Sequence, residues 1–141
     1  MENSKYIIGI DLGTTNCAVA YMKLPGGDEE YGDNVLFEIP QVVQPGTLEL
    51  RAVLPSFLYI PGEVELPAGS LALPWEKDMD YSVGEFARNH GGKIPQRMIS
   101  SVKSWLCNPD IDRHAKVLPW KSPDDVKKYS PVEASTMYLK H

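Results

Sequence analysis

Residues 7–16 read Ile-Ile-Gly-Ile-Asp-Leu-Gly-Thr-Thr-Asn and lead straight into a second apolar run, residues 17–21. Chain rich in Ile, Val and Tyr on both sides of an acid, a glycine and two hydroxyls implies strand, tight turn, strand. The bend gathers Asp11, Gly13, Thr14, Thr15 and Asn16 in one place. Backbone N–H groups of such a turn can converge on a concavity and hold phosphate oxygens. Gly13, lacking a Cβ, lets the main chain approach a phosphate and reach angles that other residues avoid. Asp11 stands where a carboxylate could hold Mg²⁺ through water, since this ion gives up its hydration shell reluctantly. The pattern suits a nucleoside triphosphate and its metal. Asp-Leu-Gly-Thr is also good hairpin chemistry with no ligand at all, so the short motif by itself leaves both readings open. The other common phosphate loop, Gly-x-x-x-x-Gly-Lys-Ser/Thr, occurs nowhere in the chain.

Bulk properties narrow the classes further. With 141 residues, 43% of them hydrophobic and 23% charged, the chain can bury one modest core and is not of disordered composition. A net charge of −5, with Lys127-Lys128 the only basic pair, argues against a nucleic-acid surface. Cys17 and Cys107 have neither metal-like nor redox spacing and read as reduced thiols of a cytoplasmic protein. The opening Met-Glu-Asn-Ser-Lys is too polar for a signal peptide, and nothing approaches the ~18 apolar residues of a membrane span. Cytoplasm is the expected location.

Strands are expected at 6–11, 17–21 and 35–43, forming a meander. Its bends fall at Leu24-Pro25-Gly26-Gly27-Asp28 and Gly32-Asp33-Asn34. Pro45-Gly46 breaks the run, and further strand follows at 48–54 and 56–60. Residues 61–80, with Pro61-Gly62, Pro67, Gly69 and Pro74, read as a surface excursion in the form of a long hairpin. Trp75 would clamp it, a partner contact being the alternative. Ser82 and Glu85 have the spacing of a capping box for a helix stopped by Gly91-Gly92. A second helix is expected from Pro95, with Met98, Ile99, Val102, Trp105 and Leu106 as its apolar stripe. Lys103 lies on the edge of that stripe, where a lysine ordinarily lays its stem on apolar surface and keeps its ammonium in water. Residues 107–129 read as an irregular connection with a short helical turn after Ser122, and His90 and His114 as surface residues. Ser130-Pro131-Val132-Glu133 starts a last helix. That helix runs to His141 without a stop signal. Because isolated helices shorter than ~12–15 residues are marginal, the chain reads as a fragment cut inside a helix.

Several segments, in order, resemble the heat-shock protein 70 family, the DnaK-type chaperones of the actin-like ATPase superfamily. They are Gly9-Ile10-Asp11-Leu12-Gly13-Thr14-Thr15-Asn16, Leu54-Pro55-Ser56-Phe57-Leu58, Val83-Gly84-Glu85-Phe86-Ala87-Arg88-Asn89, and Arg97-Met98-Ile99-Ser100-Ser101-Val102-Lys103-Ser104-Trp105-Leu106. The resemblance implies an α/β fold, a fragment of the actin-like (ribonuclease H-like) ATPase fold with an N-terminal β-meander and a small α/β subdomain. Residues 1–43 would give the first strands of the lobe-base sheet, 44–125 the subdomain, and 126–141 a helix returning to the base. It implies ATP/ADP and Mg²⁺ as ligands, bound by Asp11, Gly13, Thr14, Thr15 and Asn16, with Asp11 on the metal. Lys103 falls on the family's catalytic lysine. Client polypeptides and co-chaperones would be engaged through regions outside this chain.

In the family the nucleotide lies between two lobes, and this chain would supply only the phosphate hairpin and the lysine helix. These residues alone are therefore expected neither to hydrolyse ATP nor to bind it tightly. Apolar sheet surface left uncovered would let them self-associate. Asn16 stands where the common chaperones carry an aromatic residue, and 61–80 and 109–125 depart from the family, so the chain looks like a divergent bacterial-type member. Two rivals share the superfamily. A sugar or polyol kinase uses a similar N-terminal loop, and an actin-like filament protein uses nucleotide for polymerisation. The lysine helix disfavours both, and the α/β insertion after the third strand also disfavours the kinase.

Overall fold

A computed structural model describes residues 4–27 and 30–141 of the chain. Asp28, at the end of the first expected bend, lies outside the described residues. β1 (Tyr6–Leu12) and β2 (Asn16–Lys23) form the expected hairpin, antiparallel from Tyr6↔Lys23 to Leu12↔Cys17. β3 (Val35–Leu36) pairs with β2 at Ala20↔Leu36 and Tyr21↔Val35. The anticipated third strand is in fact two strands in two sheets. The Phe37 N–H still donates to the Val19 carbonyl at 2.8 Å, but at Cys17, the next residue of β2 that faces this edge, the place is taken by Leu54. The chain leaves β2, and β4 (Ile39–Gln44) pairs instead with β5 (Thr47–Arg51). Gly46 turns that hairpin at a φ of 74°.

β6 (Leu54–Pro55) returns to β2 beside the hairpin tip, at Asn16↔Pro55 and Cys17↔Leu54. β7 (Phe57–Tyr59) is the centre of a third sheet, flanked by β8 (Ser82–Val83) and β9 (Met98–Ser100). α1 (Glu85–Gly91) packs across β7 and β4. The expected capping box at its start is absent. Ser82 is buried in β8, and Gly84 is the N-cap, at a φ of 96°. The cap comes instead from far upstream: the Gln41 Oε1 accepts the Glu85 N–H at 3.0 Å, and the Gln41 Nε2 donates to the Val53 carbonyl at 2.7 Å.

The helix expected from Pro95 is divided. Pro95–Arg97 is one 3-10 turn and β9 follows it. Ser101 then takes a left-handed φ of 53° before α2 (Val102–Leu106) begins. The free edge of β7 needs backbone partners, and Ile99 buries itself to 1% exposure in supplying them. Ile99 and Val102 both reach the core, so the apolar spacing is met by strand and helix together.

Residues 61–80 form turns, not a hairpin, and contribute to the core. Leu71 and Leu73 are buried with Val42, Tyr59 and Phe86. The larger hydrophobic cluster joins Cys17, Leu54, Leu58, Ile99, Val102 and Tyr138. α3 (Pro131–Lys140) begins as expected: the Glu133 N–H donates to the Ser130 Oγ at 3.1 Å and the Ser130 N–H to the Glu133 Oε2 at 2.8 Å. α3 packs on α2, and at its far end the His141 Nε2 lies 2.9 Å from the Pro40 carbonyl of β4. The whole is a mixed α/β structure of small antiparallel sheets and few helices. Among the described residues no helix is long and apolar enough to cross a membrane.

Candidate functional site

The tip of the β1–β2 hairpin carries five of the six residues singled out from the sequence. Asp11, Thr14, Thr15 and Asn16 are exposed, and Gly13 is half-buried. Gly13 is required for a reason other than the one expected. Its φ is not in the left-handed region, but a Cβ built on it would stand 2.1 Å from the Asn16 carbonyl oxygen. The turn is closed too tightly for any side chain there.

Behind the tip sits Ser56, 2% exposed. Its N–H donates to the Thr15 carbonyl at 2.8 Å and its Oγ to the Gly13 carbonyl at 2.8 Å. The Cys17 Sγ is 3.4 Å from the same Oγ. The Ser56 carbonyl in turn accepts the Tyr138 hydroxyl at 3.0 Å. Burial pushes the Tyr138 phenol well above its ordinary pKa, so it acts as a neutral donor. One serine thus ties two carbonyls of the turn inward and links them to α3. The Thr14 and Thr15 hydroxyls make no hydrogen bond among the described residues, which leaves them free for a ligand.

Lys103, the sixth residue, is exposed on α2. No hydrogen bond or ion pair joins it to the hairpin among the described residues. The two are related through one hydrophobic cluster, in which Val102 of α2 is buried and Leu12 and Cys17 of the hairpin take part. No group of three or more His, Cys, Asp or Glu among the described residues could hold a metal.

A cleft of about 690 Å³ lies elsewhere, between residues 60–71 and 125–129. None of the expected site residues lines it, and its cations are engaged. Arg97 pairs with Asp125, and the Lys127 Nζ lies 3.8 Å from Asp80 and 5.2 Å above the Tyr129 ring. A polar cluster beside it corrects the reading of His90 as a surface residue. The His90 Nε2 is 2.8 Å from the Glu65 Oε1, which also accepts the Tyr59 hydroxyl at 2.5 Å, and the His90 ring stacks on Phe86. Cys17 is buried and Cys107 exposed, both as free thiols.

Sequence reasoning missed Gln41, Tyr138 and Glu65, and it read Ser56 only as part of a strand. Gln41 had a signal: it falls two residues from Ile39 on the inward register of β4, where a polar residue must find partners. The hydroxyl of Tyr138 had none, because its acceptor lies 82 positions away. Compared with family models, curated proteins and solved structures, the chain finds no match in any of the three.

Proposed function

We propose that residues 11–16 hold the phosphates of ATP or ADP with Mg²⁺, as one side of the nucleotide site of an actin-like ATPase of heat-shock protein 70 type. One observation carries this reading. The Asp-Leu-Gly-Thr-Thr-Asn tip is exposed, closed so tightly that Gly13 has no substitute, and held from behind by a buried serine. With the Gly13 and Thr15 carbonyls tied inward to Ser56, the Thr14 and Thr15 side chains stay exposed and their hydroxyls unbonded among the described residues, and this supports the phosphate reading. Asp11 would hold the metal through water, while the turn's amides and Thr14, Thr15 and Asn16 would take phosphate oxygens. Bound Mg²⁺ supplies charge neutralisation for phosphoryl transfer. Lys103 would place a positive charge beside the γ-phosphate and the attacking water, since catalysis of this reaction is mostly positioning and electrostatics. Coupling to client polypeptides and co-chaperones, and a cytoplasmic setting, rest on the resemblance alone.

Calorimetry with Mg-ATP and the 141-residue chain tests the one-sided site. Weak binding, in the millimolar range, is expected. Low-micromolar affinity would overturn the claim that a second lobe is needed, and absence of binding at saturating nucleotide would overturn the phosphate reading. In a two-lobed protein carrying these residues, Lys103→Met is expected to abolish single-turnover hydrolysis with binding retained. Equal rates would return Lys103 to helix surface.

A further inference from the structure

The register of β6 on β2 runs from Cys17↔Leu54 to Asn16↔Pro55, which sets Thr15 opposite Ser56. Residues that face each other at a hydrogen-bonded antiparallel position exchange two backbone bonds. Here only one is made. The Ser56 N–H donates to the Thr15 carbonyl at 2.8 Å, whereas the Ser56 carbonyl is taken at 3.0 Å by the Tyr138 hydroxyl of α3. The Thr15 N–H is left without an acceptor among the described residues, and so is the Thr14 N–H. The direction of the Thr14 N–H follows from the peptide it shares with Gly13. In a planar trans peptide the N–H points opposite to the C=O, and the Gly13 C=O faces the Ser56 Oγ at 2.8 Å. The Thr14 N–H therefore points away from the buried serine. Ser56 has no polar group to spare: its one hydroxyl proton goes to Gly13, so the Cys17 thiol, 3.4 Å away, is the donor toward that Oγ. Ser56, Cys17 and Tyr138 are 2%, 6% and 6% exposed, which makes the whole arrangement interior to the fold.

We infer that Tyr138 is a positioning residue for the phosphate tip, and that nucleotide binding at the tip is coupled through it to the docking of α3. The inference rests on the nucleotide reading above. The Tyr138 hydroxyl occupies the carbonyl that would otherwise complete the β2–β6 ladder at Thr15. Two successive N–H groups, of Thr14 and Thr15, are thereby kept for phosphate oxygens. A tip set in this form before the ligand arrives spends less on ordering when it binds. Tyr138 is itself buried, so it acts on the ligand only through Ser56 and the turn. Linkage makes the effect mutual: a nucleotide that favours the tip in this form must favour the Tyr138–Ser56 contact, and with it the docked α3, by the same factor.

Mg-ATP titrations of the 141-residue chain, followed through the amide resonances of residues 13–16, test it by comparing the wild type with Tyr138→Phe. Circular dichroism is the check on folding. Tyr138→Phe removes one hydroxyl and should weaken nucleotide binding about two- to tenfold, the range of a single hydrogen bond. Ser130→Ala unties the opposite end of α3 and should leave the affinity unchanged, which separates positioning from loss of helix stability. In the wild type, the ring carbon of Tyr138 that bears the hydroxyl should shift with the same midpoint as the tip amides. That reading holds even if Tyr138→Phe fails to fold. Equal affinity in wild type and Tyr138→Phe, an equal loss in Ser130→Ala, or a Tyr138 carbon that ignores the titration would each overturn the coupling and leave the nucleotide reading standing. No shift at residues 13–16 in the wild type would overturn that reading, and the coupling with it.

Discussion

Gly13 and Gly9 sit in the same hairpin, yet only one of them must be glycine. A Cβ on Gly13 would meet the Asn16 carbonyl oxygen at 2.1 Å, whereas one on Gly9 meets nothing within 4 Å. Gly13→Ala is expected to cost about 1–3 kcal/mol, in the range of backbone strain effects, and Gly9→Ala far less. Urea denaturation of the two variants side by side decides it. Gln41 is fully buried and bridges Val53 to the start of α1. Gln41→Leu should cost about 1–3 kcal/mol by orphaning those groups. At Glu65, burial opposes ionisation, but hydrogen bonds from Tyr59, the Gly62 N–H and His90 outweigh it and hold the carboxyl below its ordinary value of 4.5. Its stabilising contribution is therefore complete above that value and is lost as pH falls through the lower folded pKa. Glu65→Gln should flatten that part of an acid denaturation profile, and an unchanged profile would contradict the assignment. The Asp-Leu-Gly-Thr-Thr-Asn turn was legible because its chemistry is local. The inward roles of Gln41 and Ser56 were not, because their partners lie 44 and 43 positions away.

Short elements here owe their limits to what they pack against. The apolar spacing of Met98 to Leu106 fits one helix, but the chain spends three residues closing the edge of β7 before α2 begins. Helical period and a strand followed by a helix put the same residues inward, and sequence spacing could not separate them. The start of α3 was legible because Ser130, Pro131 and Glu133 act on their own neighbours. Ser130→Ala should lower stability by about 1 kcal/mol, measurable as a shift in urea midpoint. The far end of α3 depends on pH in another window. Burial pushes the His141 imidazole below its ordinary value of 6.5, with the contact to the Pro40 carbonyl only partly opposing it. A histidine held neutral in the fold stabilises above 6.5, and that contribution is lost as pH falls below it. The Trp75 ring stands edge-on to His141 at 5.7 Å. Its fluorescence should change as pH falls from 7 to 5, and His141→Phe should suppress the change.

At the scale of the whole molecule, two apolar clusters fill the interior, while the outer hairpin keeps both faces of β1 open. The α/β class was expected from the family resemblance, and the structure is mixed α/β. Composition and strand pattern did not reveal that 35–44 divides between two sheets, since that depends on β6, distant in sequence, taking the edge of β2 at Asn16 and Cys17. The chain Tyr138–Ser56–turn connects α3 to the proposed phosphate tip through two buried hydrogen-bonded residues. Tyr138→Phe is thus expected to loosen the tip as well as the helix, seen as faster amide exchange at residues 13–16. Exchange unchanged there would separate the two. The central claim is that this tip binds the phosphates of a magnesium nucleotide, and amide resonances of residues 13–16 followed during a Mg-ATP titration test it most directly. Saturable shifts centred on those amides, weakened in Asp11→Asn, are the predicted result. Shifts that cluster elsewhere, or none at millimolar nucleotide, would contradict it and leave the turn as a connection between two strands.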